Sequence, residues 1–214
     1  LENYLALATK VSSEHPAVIS KFIRNAREVE VDGVSDGNDV FIGAIIEHVE
    51  DAGTHSGDAT MSIPCQTLSA KLESDIEDYT HRIAKELKIK GPFNIQYLVK
   101  DGQIYVIECN LRASRSMPYV SKTRGVNLIE LATQVVLGKK LRDIGILGLS
   151  RVKHVGVKVP QFSFMRLSGA DPVLGVEMMS TGEVACLGEN FTDALSKALL
   201  SADFKIPKTG DSIL

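Results

Sequence analysis

The sequence predicts an α+β layer structure, and three observations carry that reading. Two hairpin signatures, SDGND at 35–39 and KDG at 100–102, are each flanked by residues that alternate between apolar and polar. Between them, Leu72, Ile76, Tyr79, Ile83 and Leu87 recur at steps of 4, 3, 4 and 4, which makes one apolar stripe on a helix. Helices and antiparallel hairpins in this order pack as layers around a shared core.

The elements follow in order. LENYLALATKVSSEHPAVISKFI opens with Leu1, Tyr4, Leu5 and Ala8 at helical spacing until SSEHP breaks it, and AVISKFI reads as a strand. In REVEVDGVSDGNDVFIGAIIEHVE the period is two, with Val29, Val31 and Val34 inward and Glu28, Glu30 and Asp32 on the other face. DAGTHSGDATMSIP reads as a loop of small residues. Ser69 is placed to cap the helix that follows, and Gly91-Pro92 to end it.

FNIQYLVKDGQIYVIECN is the second hairpin, and its loop length decides which side chains share a face. A two-residue Asp101-Gly102 loop puts Gln96 opposite Ile107, on the face away from Glu108. A three-residue loop, with Gly102 left-handed, pairs Gln96 with Val106 and Asn94 with Glu108. Only the longer loop sets Ile95, Tyr97 and Val99 with Tyr105, Ile107 and Cys109 on one apolar face, so that register is expected. Gln96, Glu108 and Asn110 then share the polar face. NLIELATQVVLGKK is a helix closed by Gly138. Beyond it come an apolar loop, a strand near HVGVKV, the glycine-rich stretch GADPVLGVEMMSTGEV and a final helix from Phe191 to Leu200.

A formal net charge of −3 gives no electrostatic reason to expect nucleic acid or a membrane surface as partner. No apolar run is long enough to span a bilayer. Cys65, Cys109 and Cys186 are odd in number and far apart, as expected of a reduced, cytoplasmic protein. The chain opens on Leu1 directly in helix-like sequence, as a piece of a longer protein would.

Gln96, Glu108 and Asn110 offer three oxygen donors on neighbouring strands, the ligand type of Mg²⁺ or Mn²⁺. Arg112 and Arg115 lie just beyond the strand end, where a guanidinium fork can take phosphate or carboxylate oxygens. An acid for a cation and arginines for an anion is the layout that phosphoryl transfer needs. The same residues read equally as a solvated sheet face with surface arginines. AGTHSGDA offers backbone N–H groups to a ligand without the spacing of a Walker loop or a dinucleotide fingerprint.

Taken together, EVEVDGV, EHVEDAGTHSGDA, NIQYLV, IECNLRASRSMPYVSKTRGV and GADPVLGVEMMSTGEV resemble the large subunit of carbamoyl phosphate synthetase, in its second, C-terminal ATP-grasp half. The resemblance implies phosphorylation of carbamate by ATP to carbamoyl phosphate and ADP, with the remainder of the large subunit and a glutaminase small subunit as partners. It places Gln96, Glu108 and Asn110 at metal positions, Arg112 and Arg115 near the transferred phosphate, and Lys21 and Ile23 at the adenine hinge. Glu28 matches the acid on the ribose hydroxyls, and Gly53, Thr54, His55 and Ser56 match the loop against the nucleotide.

On this reading 1–138 is an incomplete nucleotide- and metal-binding lobe and 139–214 is its C-terminal extension. The family's glycine-rich nucleotide-cradling lobe has no counterpart in the chain, and a regulatory domain often follows where this chain ends. Glu50 and Asp58 match two of the acids through which some relatives bind ornithine, and Val159 stands at the third position. Other readings are a non-catalytic single-lobe fragment serving nucleotide binding or subunit contact, and another ATP-grasp ligase such as a biotin-dependent carboxylase. SKTRGV argues against the carboxylase.

Overall fold

The computed structural model describes residues 2–3, 5–6, 19, 21–146, 152–163, 169, 172–207 and 210. Its strands are β1 (Arg27–Asp36), β2 (Val40–Asp51), β3 (Met61–Ile63), β4 (Lys90–Lys100), β5 (Gln103–Asn110), β6 (Val155–Phe162) and β7 (Ser180–Gly188). Its helices are α1 (Ala70–Glu86), α2 (Met117–Arg124), α3 (Leu128–Val136), α4 (Leu141–Ile144) and α5 (Phe191–Ser201). The strands form one seven-stranded antiparallel sheet in the order β5-β4-β1-β2-β3-β6-β7. The α+β layering read from the sequence is therefore what the chain adopts.

Both faces of the sheet are covered. On one face Val29, Val31, Ile95, Tyr97 and Phe93 pack against Ile76 and Ala84 of α1. Further along it, Val157 and Val159 pack against Ala194 and Ala198 of α5. On the other face Val34, Phe41, Ala44, Ile46 and Met61 lie under Met117, Tyr119, Leu128 and Leu131 of α2 and α3. Val34 therefore belongs with the opposite core from Val29 and Val31. The alternation in β1 divides a core face from a second buried face, not core from solvent: Glu28, Glu30 and Asp32 are all buried.

Local signals explain the boundaries. Ser69 Oγ accepts the Leu72 N–H, as a cap should, and α1 stops at a left-handed Lys88. Gly91 and Pro92 lie inside β4 and do not end the helix. Asp36 holds the first turn, its Oδ1 accepting the Asn38 and Asp39 amides at 2.9 Å each. The stretch expected as a loop after β2 contains β3, which joins β2 to β6. Glu2, Asn3, Leu5 and Ala6 are helical, while Leu1, Tyr4 and Ala8 lie outside the described residues. Of the expected strand AVISKFI, Lys21–Ile23 is irregular and Ala17, Val18 and Ser20 lie outside the described residues. MPYVSKTR, unassigned from the sequence, is α2.

The second hairpin departs from the expected register. Lys100 pairs with Gln103, so the loop is the two-residue Asp101-Gly102, and both residues have positive φ (51° and 76°) as a type I′ turn requires. A β-bulge then restores what that short loop would have lost. Tyr97 pairs with Val106 and Gln96 with Glu108, which leaves Ile107 as the extra residue. Asn94 pairs with Asn110, not with Glu108. The side chains at 107 and 108 both serve the face of Gln96. Tyr105 and Ile107 are accordingly not core: Ile107 is 47% exposed, and Ile104 and Cys109 are the β5 residues packed against the α1 side.

Candidate functional site

One face of the sheet carries a polar row. Glu28, Glu30 and Asp32 of β1 stand beside Leu98, Gln96 and Asn94 of β4, and Gln96 and Asn94 stand beside Glu108 and Asn110 of β5. Above this row run the loop between β2 and β3 and the arginine-bearing loop between β5 and α2. Two cavities open there, of about 490 Å³ and about 100 Å³, with His55, Ser56, Gln96 and Glu108 as their common wall.

Every site residue expected from the sequence lines one of the two. Lys21, Ile23, Glu28, Gly53 and Thr54 lie on the larger cavity; Asn110, Arg112 and Arg115 on the smaller; the four shared residues complete the set. The larger cavity has apolar walls from Phe22, Leu98, Ile107 and Val176. None of these four was expected, because an isolated apolar residue carries no chemical signal.

Hydrogen bonds orient the amides. Asn110 Nδ2 donates to Glu108 Oε1 at 2.7 Å, and Gln96 Nε2 donates to Ser56 Oγ at 3.4 Å. Their amide nitrogens are thus turned to protein partners, which leaves the carbonyl oxygens for a ligand. Glu108 is exposed and contributes nothing to either core. Among the described residues no group of three or more His, Cys, Asp and Glu could hold a metal by itself. This donor set, one carboxylate and two amides, fits a hard cation that shares its shell with phosphate oxygens, not a closed protein cage.

Beneath the row lies a buried network. Glu30 accepts from Asn94 Nδ2 at 2.9 Å and meets His48 Nε2 at 3.0 Å. Burial pushes its carboxyl up, but the His48 and Asn94 hydrogen bonds outweigh that and hold it below the usual range. Asp32 accepts from Ser114 Oγ at 2.6 Å, Ser116 Oγ at 2.7 Å and Asn94 Nδ2 at 3.0 Å. Burial, with Glu30 beside it, pushes Asp32 up to about 6. Glu28 is raised as well, chiefly by burial, although His48 opposes the shift and the Gly53 amide donates to it.

Lys158 was not anticipated. Its side chain is buried, and its Nζ donates to the Ser56 and Gly57 carbonyls at 3.2 and 3.3 Å and lies 4.0 Å from Glu183. It fixes the small-residue loop from below and puts an ammonium at the wall of the smaller cavity. Burial lowers its pKa, with Glu183 pulling the other way. A lone lysine in the apolar run VGVKVP was the available signal, since a buried cation needs a partner.

Asp58 pins the same loop to β7 by accepting the Met179 and Ser180 amides at 2.8 Å each. Burial opposes its charge, yet the Ser180 and Met179 hydrogen bonds hold its carboxyl below the ordinary value. Glu50, likewise, accepts the Thr60 amide at 2.7 Å. A folded pKa below the unfolded one adds stability above the unfolded value and loses it as pH falls through the folded value. Asp58→Asn is therefore expected to lower stability by about 1.5–3 kcal/mol at neutral pH. The gap to the unsubstituted protein should close as pH drops below about 4, which melting curves across pH will read.

Comparison with known proteins bears on this arrangement. Residues 1–144 match the family described as "Carbamoyl-phosphate synthase L chain, ATP binding domain". The chain is 56% identical over 97% of its length to the "Multifunctional protein CAD" of Squalus acanthias and covers 9% of that protein. It is 50% identical over 98% of its length to the human "Carbamoyl-phosphate synthase [ammonia], mitochondrial" and covers 14% of it. It is also 52% identical to the "Multifunctional protein pyr1-3" of Dictyostelium discoideum over 97% of its length, again covering 9% of the relative. Among solved structures, the "Biotin Carboxylase domain of single-chain bacterial carboxylase" superposes with a TM-score of 0.67. That match covers 94% of this chain and 56% of the other at 15% identity, a likeness of fold.

Proposed function

The chain belongs to the carbamoyl-phosphate synthase large-chain ATP-binding family, and from that premise we propose that it is the nucleotide- and metal-binding lobe of the half that phosphorylates carbamate with MgATP. The observation that carries this reading is the Ile107 bulge, which turns Glu108 to the side of Gln96 with Asn110 at 2.7 Å. The carboxylase-like superposition supports the fold alone. The carboxylase superposition comes with 15% identity, whereas identities of 50% and above favour the synthase.

In this reading the larger cavity takes the adenosine. Ile23, Leu98, Ile107 and Val176 enclose the base, and the buried Glu28 accepts hydrogen bonds from the ribose hydroxyls. The loop at 53–56 lies along the nucleotide. Gln96, Glu108 and Asn110 hold the dication, which when bound neutralises phosphate oxygens and fixes their position. Arg112 and Arg115 receive the charge of the transferred phosphoryl group. A carbamate oxygen attacks the γ-phosphorus, and the bond to the bridging oxygen breaks with its electron pair leaving on ADP. The protein supplies position and charge, and no side chain need form a bond.

The separate apolar cluster between β6 and α5 supports treating 139–214 as an extension that supplies Lys158. The remainder of the large subunit and a glutaminase are the proposed partners. Three free thiols fit a cytoplasmic setting, and among the described residues no helix is long and apolar enough to cross a membrane.

The test is ATP formation from MgADP and carbamoyl phosphate by the full-length protein carrying this segment. Synthesis supports the reading; nucleotide binding without turnover sinks it. Ile107→Ala should raise KM for the nucleotide by about tenfold or less, as one apolar contact allows. Its melting temperature should hardly move, because the side chain is half exposed. A large loss of stability would return Ile107 to the core.

A further inference from the structure

Arg112 and Arg115 stand on an exposed loop, and their own contacts do not fix them. Among the described residues, Arg112 Nη1 reaches only the Ala113 carbonyl at 3.2 Å, and Arg115 only the Met178 sulfur. The loop between them is held from underneath. Ser114 and Ser116 hydroxyls donate to the two oxygens of Asp32 and lie 2.9 Å from each other, and Ser116 also reaches Glu30 at 3.3 Å. Asn94 ties the same carboxylate to β5, since Asn94 Oδ1 accepts from Asn110 Nδ2 at 3.5 Å.

We propose that Asp32 is a positioning residue: one fully buried carboxylate sets the arginine loop and the metal-facing end of β5 in a fixed relation to each other. The proposal rests on the function proposed above. Stability gives no reason for a charge at this place. Asp32 is 0% exposed, faces Glu30 and, among the described residues, has no cation within hydrogen-bonding distance. Burial raises its carboxyl well above the ordinary range, so the folded protein bears a cost for keeping it ionised. Asparagine would fill the same space without that cost. What asparagine lacks is a pair of oxygens that can both accept hydroxyl protons, and that pair is what spans Ser114 and Ser116.

The experiment uses the full-length protein with Asp32→Asn, Ser114→Ala and the two combined, reading ATP synthesis from MgADP and carbamoyl phosphate. Each single change is expected to lower kcat on the order of tenfold or more, because a small misplacement of catalytic groups is costly. KM for MgADP should stay within about twofold, and the melting temperature of Asp32→Asn should not fall. The combination should be no slower than the worse single variant, since both changes cut one linkage. An unchanged kcat in Ser114→Ala, a rise in KM alone, or additive losses of kcat and melting temperature would each overturn the inference. Should Asp32→Asn fail to fold, Ser114→Ala in its part-buried loop decides alone. Arg115→Ala is the control. Activity lost there but kept in Ser114→Ala overturns the positioning role and leaves the function standing, whereas no synthesis by the unsubstituted protein overturns the function first.

Discussion

Glu108→Gln is expected to lower metal-dependent turnover by about 100–1,000-fold while leaving the fold in place. The carboxylate is exposed, sits at the end of edge strand β5 and touches neither core, so its loss should change stability by no more than about 0.5 kcal/mol. Its chemical role is harder to replace. Gln is nearly isosteric but neutral, and the two neighbouring donors, Gln96 and Asn110, are already amides. The variant would hold a dication with no anionic protein ligand at this point. Loss of one preorganised charge at a reacting phosphate costs about 100–1,000-fold in kcat, and added metal should recover only part of it. Steady-state rates against metal concentration, together with melting curves, check both halves of the statement. Normal turnover with reduced thermal stability would make Glu108 a structural residue.

The mirror-image result is expected one strand over. Tyr97 follows Gln96 directly, faces the opposite way and is 0% exposed, with its hydroxyl 2.8 Å from Thr80 Oγ1 of α1. Burial pushes that phenol up to about 12, so it stays neutral at any working pH. Tyr97→Ala removes a full aromatic ring from the core under α1 and should cost about 3–5 kcal/mol. At about 2–4 °C per kcal/mol for a chain of this size, the melting temperature falls by on the order of 10 °C. Tyr97→Phe keeps the ring but leaves the Thr80 hydroxyl buried without a partner, which costs about 1–3 kcal/mol. Activity per folded molecule should be retained in both. If Tyr97→Phe lowered kcat at full stability, the two faces of β4 would not be independent.

Much of this was legible in the sequence, and the residues show where legibility stops. Period-two alternation found β1, β2 and both hairpins, and the apolar stripe with its Ser69 cap found α1. These patterns are dictated by neighbours on one face, which any sequence displays. The KDG loop was misjudged because apolar residues on both sides of β5 look alike: Ile107 is as hydrophobic as a core residue but walls a cavity. The bulge leaves no mark beyond that ambiguity, since any residue can occupy the extra position. Glu30 and Asp32 read only as the polar face of β1, and Ser114 and Lys158 carry no reading from the sequence, for another reason. Apart from Lys158 in its apolar run, each is ordinary in its own segment, and they gather only once β4, β1, β2, β3 and β6 lie side by side in the sheet. A family resemblance could name Arg112 and Arg115, but it could not say what holds them.

The extra residue at 107 also has an evolutionary consequence. An ideal strand gives a binding surface one side chain in every two, so a base-contacting residue and a metal-holding acid would compete for alternate places along β5. On the proposed function, Ile107 and Glu108 would fill those two roles at consecutive positions. A lineage can exchange the aliphatic group at 107 to suit a different nucleobase while the acid beside it keeps its aim, whereas a single insertion or deletion at the hairpin tip turns both away together.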